Sequence, residues 1–120
     1  MARSLLIKIT CAAEAAERAN QGLTVAATAA ASGVPVSVWL AGEATGFALR
    51  EGATTLDLPL ATAVPELMAT ILELGRVTVC GQCAARRNIS ENDIAGGARI
   101  AGAAGFVEEA LLDGVQALVY

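Results

Sequence analysis

Three times in this 120-residue chain a helical pattern runs out at a glycine and an almost wholly apolar run follows: at Gly33, Gly75 and Gly114. That alternation constrains the fold more than any other feature. Strands that read as continuous apolar runs are buried on both faces, and strands joined through helices lie parallel. A first run, Ser4 to Thr10 (SLLIKIT), supplies a strand ahead of the first helix. From Glu14 to Ser32, the residues Ala16, Ala19, Leu23, Ala26, Ala27 and Ala30 fall on one helical stripe, which Gly33 closes. Pro35 to Ala41 reads as a strand, and a long loop with one short helical turn leads to Pro65. Proline and Glu66 suit a helix start there, with Leu67, Ile71 and Leu74 on its apolar seam. Arg76 to Cys80 is a third strand and residues 97–102 a fourth, with capping residues Ser90 to Asp93 between them. Gly105 to Leu112 is helical, Phe106 and Ala110 on one side and Val107 and Leu111 on another, before a last strand from Val115 to Tyr120. The expected fold is α/β, three layers (α/β/α) with a parallel sheet of about five strands, and residues 1–120 form a single domain. Strand order is not given by this pattern.

The residues that fill this frame are small. The chain is 55% hydrophobic but only 3% aromatic, so helices must lie close on the sheet, and burial between subunits would add to stability. A net charge of −4, with one lysine and seven arginines, argues against a general nucleic-acid binder. The charge-free run from Ala19 to Gly42 is long enough for a membrane span, but SGVP at 32–35 breaks it into helix and strand. The N-terminal MARSLLIKIT holds a lysine inside its apolar run and no small-residue cleavage site, which reads as a strand and not a leader. A cytoplasmic location is expected, where three cysteines stay reduced. There is no histidine, which removes Ser-His and Cys-His pairs, histidine-ligated zinc and histidine bases together.

Chemistry therefore concentrates on RVTVCGQCAARRNIS, residues 76–90. Cys80 ends the third strand, and Gly81 permits a turn out of the sheet; ligands of open parallel sheets bind beyond the carboxyl ends of strands. Arg86 and Arg87 follow six and seven residues later, near enough in a loop-to-helix turn to favour a thiolate. The competing reading makes Cys80 a small buried hydrophobe. Cys83 completes C-x-x-C, yet zinc wants four ligands, and with no second pair only Cys11 and a carboxylate could complete a site. No metal or cofactor is expected. A dithiol pair stays open, below single-thiol chemistry. Cys11 should also reach the carboxyl edge, most simply as a loop residue. IAGAAGF, 100–106, lacks the first glycine of a dinucleotide loop, so Gly102 and Gly105 read as turn and packing glycines. The two arginines read equally well as a solvated pair, and Glu108 and Glu109 as an ordinary helix face.

Taken together, LLIKIT, the alanine-rich RANQGLTVAATAAASG, VWLAGEATGFAL and VTVCGQCAARRNI resemble the DsrE/DsrF-like family of sulfur-transfer proteins over nearly the whole chain. The nearest echo is a strand ending in cysteine, five intervening residues, Arg-Arg, a small residue and an aliphatic one, as in the family's sulfur-relay members. The resemblance implies that Cys80 accepts sulfane sulfur as a persulfide and passes it on, a sulfurtransferase or persulfide carrier. It implies that Arg86 and Arg87 match the family's basic pair, with Gly81 beside them lining the substrate position. Asn88 replaces a usual glycine. Cys83 has no obligatory counterpart in the relay members and leaves room for an internal disulfide or a resolving role. The resemblance further implies sulfur donor and acceptor proteins as partners and a homotrimer or homohexamer. The alternatives are a dithiol redox protein using Cys80 and Cys83, or a non-catalytic oligomeric binding module.

Overall fold

The structure is a computed structural model that describes residues 3–120; Met1 and Ala2, part of the stretch read above as strand and not leader, lie outside the described residues. Five strands form one sheet in the order β4-β3-β2-β1-β5: β1 (Ser4–Ile9), β2 (Val36–Leu40), β3 (Arg76–Cys80), β4 (Ala98–Ala101) and β5 (Val115–Val119). Every pairing is parallel, as the alternation with helices predicts. Four helices join them: α1 (Ala16–Ala31), α2 (Val64–Leu74), α3 (Gly81–Arg86) and α4 (Ala103–Ala110). Shorter 3₁₀ turns span Ala13–Ala15, Gly42–Ala48 and Glu91–Asp93. Among the described residues no helix is long and apolar enough to cross a membrane.

The two sheet faces are covered differently. Ile7, Ile9, Val36, Val38, Leu40, Val77 and Val79 alternate onto one face, where they form the core with Ala19, Leu23 and Ala26 of α1, Met68 and Ile71 of α2, and Ala84 of α3. Small residues set the spacing there. A Cβ on Gly22 would stand 2.8 Å from the Ile9 side chain and 3.2 Å from the Tyr120 ring, so α1 lies on β1 at a distance only glycine allows. The chain rises along this side from β1 to β4. It then crosses the whole sheet through α4 to place β5 on the far side of β1, so α4 packs over the other face.

The three glycines that announced the fold act in different ways. Gly33 and Gly114 adopt left-handed backbone (φ 88° and 80°), which glycine takes without strain. Gly75 is extended; it is small because a Cβ would sit 3.0 Å from the Val36 carbonyl oxygen and 3.1 Å from that of Ile71.

Candidate active site

Cys80 is both the last residue of β3 and the N-cap of α3. No loop intervenes, a point at which the structure departs from the expected turn. Gly81 is the first helical residue and is not in the left-handed region; a Cβ there would meet only ordinary contacts at 3.5 Å, so the glycine leaves space and does not bend the chain. The helix places Cys83 at its third position, on the same side of the first turn as the N-cap. Both thiols are half-buried and reduced, whereas Cys11 is buried.

Burial pushes the Cys80 thiol up, but opposing influences win and hold it below an ordinary cysteine: the Cys83 backbone N–H, the Cys83 thiol, the Gln82 backbone N–H and the Lys8 charge. As a neutral thiol Cys80 makes no capping hydrogen bond. These donors favour the thiolate, which is the form that accepts from them. Cys11 behaves oppositely. Burial raises its thiol, outweighing the Arg18 charge, and Glu14 adds to the rise. Its Sγ turns to the Ala15 carbonyl at 3.8 Å, as a packing residue does.

The cation that favours the Cys80 thiolate is thus Lys8 and not the arginine pair. Arg87 turns away, donating to the Cys83 carbonyl at 3.1 Å and to Glu43 at 3.2 Å, which ties the first turn of α3 to the 3₁₀ segment after β2. Arg86 is exposed in the last turn of α3. Asn88, where the resembling family usually has glycine, adopts φ 56°. Asparagine tolerates that left-handed backbone better than other side-chain-bearing residues, so the departure preserves the loop.

Beneath Cys80 the strand register builds a polar row across the α4 face: Lys8 opposite Trp39, Trp39 opposite Thr78, Thr78 opposite Arg99. Lys8 Nζ stands 4.8 Å over the Phe106 ring, which meets Trp39 edge-on with centroids 5.5 Å apart. Arg99 Nε donates to Thr78 Oγ1 at 2.9 Å. Glu109, expected on an ordinary helix face, instead points inward at the sheet. Its carboxylate accepts from Ser37 Oγ, from Trp39 Nε1 at 3.0 Å and from Arg99 at 3.0 Å. Gly105 completes the contact, since a Cβ there would lie 3.3 Å from the Trp39 ring. The one sequence signal for this row was the lysine among the apolar residues of SLLIKIT, out of phase with Ile7 and Ile9.

Two concave surfaces lie away from the thiols. A cleft bounded by Leu6, Ser37, Arg76, Glu109 and Leu112 opens at the amino ends of the strands, and a polar pocket beside α3 is bounded by Arg50, Arg87, Asn88 and Asp93. Neither is lined by Cys80 or Cys83. Among the described residues, no three His, Cys, Asp or Glu side chains gather as a metal-holding group.

A parallel sheet wound in this order, with a thiolate-favouring cysteine at the end of its third strand, defines a small α/β protein with an open thiol site. The chain belongs to the DsrE/DsrF-like family, whose model matches residues 3–119. Its fold is shared with YchN from E. coli, at a TM-score of 0.80 and 16% identity over 98% of this chain and 99% of that one. It is shared also with MTH1491 from Methanobacterium thermoautotrophicum, a protein of unknown function, at a TM-score of 0.74 and 11% identity over 98% and 99%. No curated protein sequence matches.

Proposed function

We propose that this protein carries sulfane sulfur as a persulfide on Cys80, taking it from one thiol-bearing protein and handing it to another. The observation that carries this reading is a half-buried strand-end thiol held below the ordinary range by the N–H groups of Cys83 and Gln82, the Cys83 thiol and Lys8. In the loading step the Cys80 thiolate attacks the outer sulfur of a donor persulfide; the donor's S–S bond breaks and the donor thiolate leaves. In the unloading step an acceptor thiolate attacks the outer sulfur and Cys80 leaves as thiolate, which a lowered pKa favours. Neither step needs a histidine base once the thiolate exists. The open position of both thiols, outside the two pockets, suits a protein partner better than an engulfed small molecule. Membership of the family supports the same reading.

Intact-mass spectrometry after exposure to glutathione persulfide tests it. The Cys83→Ser protein should gain one sulfur atom, and the Cys80→Ser, Cys83→Ser double variant none; equal gain by both removes Cys80 from the role.

A second reading, dithiol redox chemistry, is favoured by the place of Cys83 at the third position of a helix capped by Cys80. Mild oxidation should then give a reversible disulfide between these two residues at equilibrium with a defined dithiol buffer. Failure to form it sets that reading aside.

A further inference from the structure

We propose that Cys83 is the resolving thiol of a Cys80 persulfide, so that this chain discharges its sulfur as hydrosulfide when no acceptor intervenes. The inference rests on the persulfide reading of Cys80 and adds a second, internal exit for the sulfur.

The geometry comes from the sequence spacing and the place where the helix starts. Cys80 is the N-cap of α3 and Cys83 its third residue. Side chains three apart on a helix are neighbours, with Cβ atoms about 5–6 Å apart, and a disulfide brings Cβ atoms to about 3.5–4.5 Å, so a small shift within the first turn of α3 closes the bridge. The Cys83 backbone N–H and thiol are among the groups that hold the Cys80 thiol below an ordinary cysteine. The Cys83 carbonyl accepts from Arg87 at 3.1 Å, and Arg87 pairs in turn with Glu43, so the turn that presents the thiol is pinned to the segment after β2. Both thiols are half-exposed, which lets a donor in and lets a small anion out. Cys11, buried after β1 with its Sγ turned to the Ala15 carbonyl, takes no part.

The step balances as follows. With its proton lost to solvent, the Cys83 thiolate attacks the inner sulfur of Cys80–S–SH, which is Cys80 Sγ. A bond forms between the two cysteine sulfurs, the bond from Cys80 Sγ to the outer sulfur breaks, and the outer sulfur leaves with the electron pair as HS⁻. The sulfane sulfur is reduced to sulfide and the two thiols are oxidised to a disulfide. An external dithiol, by two successive exchanges, returns the protein to its reduced form and is itself oxidised. An acceptor thiol attacking the outer sulfur instead leaves the protein reduced. The fate of the sulfur is therefore set by competition between an acceptor and Cys83.

The experiment loads reduced protein with one equivalent of glutathione persulfide, without other thiols, and reads released sulfide together with intact mass. Wild type should release one sulfide per chain and lose two hydrogens, with peptide mapping placing a disulfide between Cys80 and Cys83. Cys83→Ser and Cys83→Ala should both release none above background and keep one added sulfur on Cys80. Wild type that keeps the added sulfur and releases no sulfide overturns this inference while leaving the carrier reading intact. Sulfur found on Cys83 overturns this inference and counts against Cys80 as the carrier as well. If neither Cys83 variant takes up sulfur, the carrier reading itself fails, and this inference with it.

Discussion

The indole N–H of Trp39, in the middle strand, donates to the Glu109 carboxylate of α4 at 3.0 Å. Together with Ser37 and Arg99 this fastens to the sheet a helix that has no buried residue of its own. Glu109→Ala removes the shared acceptor and leaves the N–H of a tryptophan only 2% exposed without a partner. A loss of about 1–3 kcal/mol is expected, the usual cost of a buried group left unpaired, and chemical denaturation measures it. Glu109→Gln, which keeps an acceptor oxygen, should lose less. An unchanged midpoint for the alanine variant means the network contributes nothing.

Lys8 shares its sheet face with Cys80 and is the cation that favours the thiolate. Lys8→Met keeps the stem over Phe106 but removes the charge, so the Cys80 pKa should rise and the thiolate fraction near neutral pH should fall. Alkylation of Cys80 should slow by a few fold, less than the factor of about ten that a full unit represents. The rate-against-pH curve should move to higher pH while its plateau stays. The sign for stability follows from the same depression. The Cys80 contribution is present above the unfolded-state thiol pKa and is lost as pH falls through the lower folded value. A profile identical to wild type would remove Lys8 from the site.

Gly42 bears on the site's frame through backbone alone. Its φ is 55°, and a Cβ would lie 2.7 Å from the carbonyl oxygen of Thr10, a residue whose N–H and hydroxyl both donate to the Tyr120 carbonyl. Gly42→Ala should therefore destabilise by about 1–3 kcal/mol, as strained left-handed positions do, with an altered thermal midpoint as the readout. Tolerance of alanine there would show that the segment after β2 can shift.

Much of this fold was legible because its signals are local. Apolar runs marked all five strands, and the alanine stripe marked α1 almost to its observed ends. The strand order was not legible: parallel pairing joins residues far apart in sequence and leaves no local trace. Without that order, Glu109 could not be placed over Ser37 and Trp39, and Lys8 could not be placed near Cys80. Helix α3 escaped for another reason. Six residues give too few turns for an apolar period, and its start is capped by a cysteine, which is not among the usual capping residues. The arginine pair drew the inference because it is close in sequence, while the charge that acts on Cys80, a weaker influence than the Cys83 and Gln82 donors, arrives from two strands away.

Self-association is the remaining expectation that can be measured simply. Val107 on α4, Leu111 and Leu112 after it and Val119 on the edge strand β5 are 52%, 78%, 61% and 65% exposed. A second copy of the chain would cover such a side and the unpaired edge of β5. Leu111→Glu should then lower the molar mass in sedimentation equilibrium relative to wild type. A monomeric wild type excludes the expectation.

The absence of any loop between β3 and α3 has a bearing on how a partner would know what this protein holds. Both sulfurs sit on one joint of strand end and helix start, so, if Cys80 carries sulfur as proposed, gaining or passing on a sulfur asks little of the chain. A partner would then identify the cargo by reacting with it and not by a change in the protein's outline.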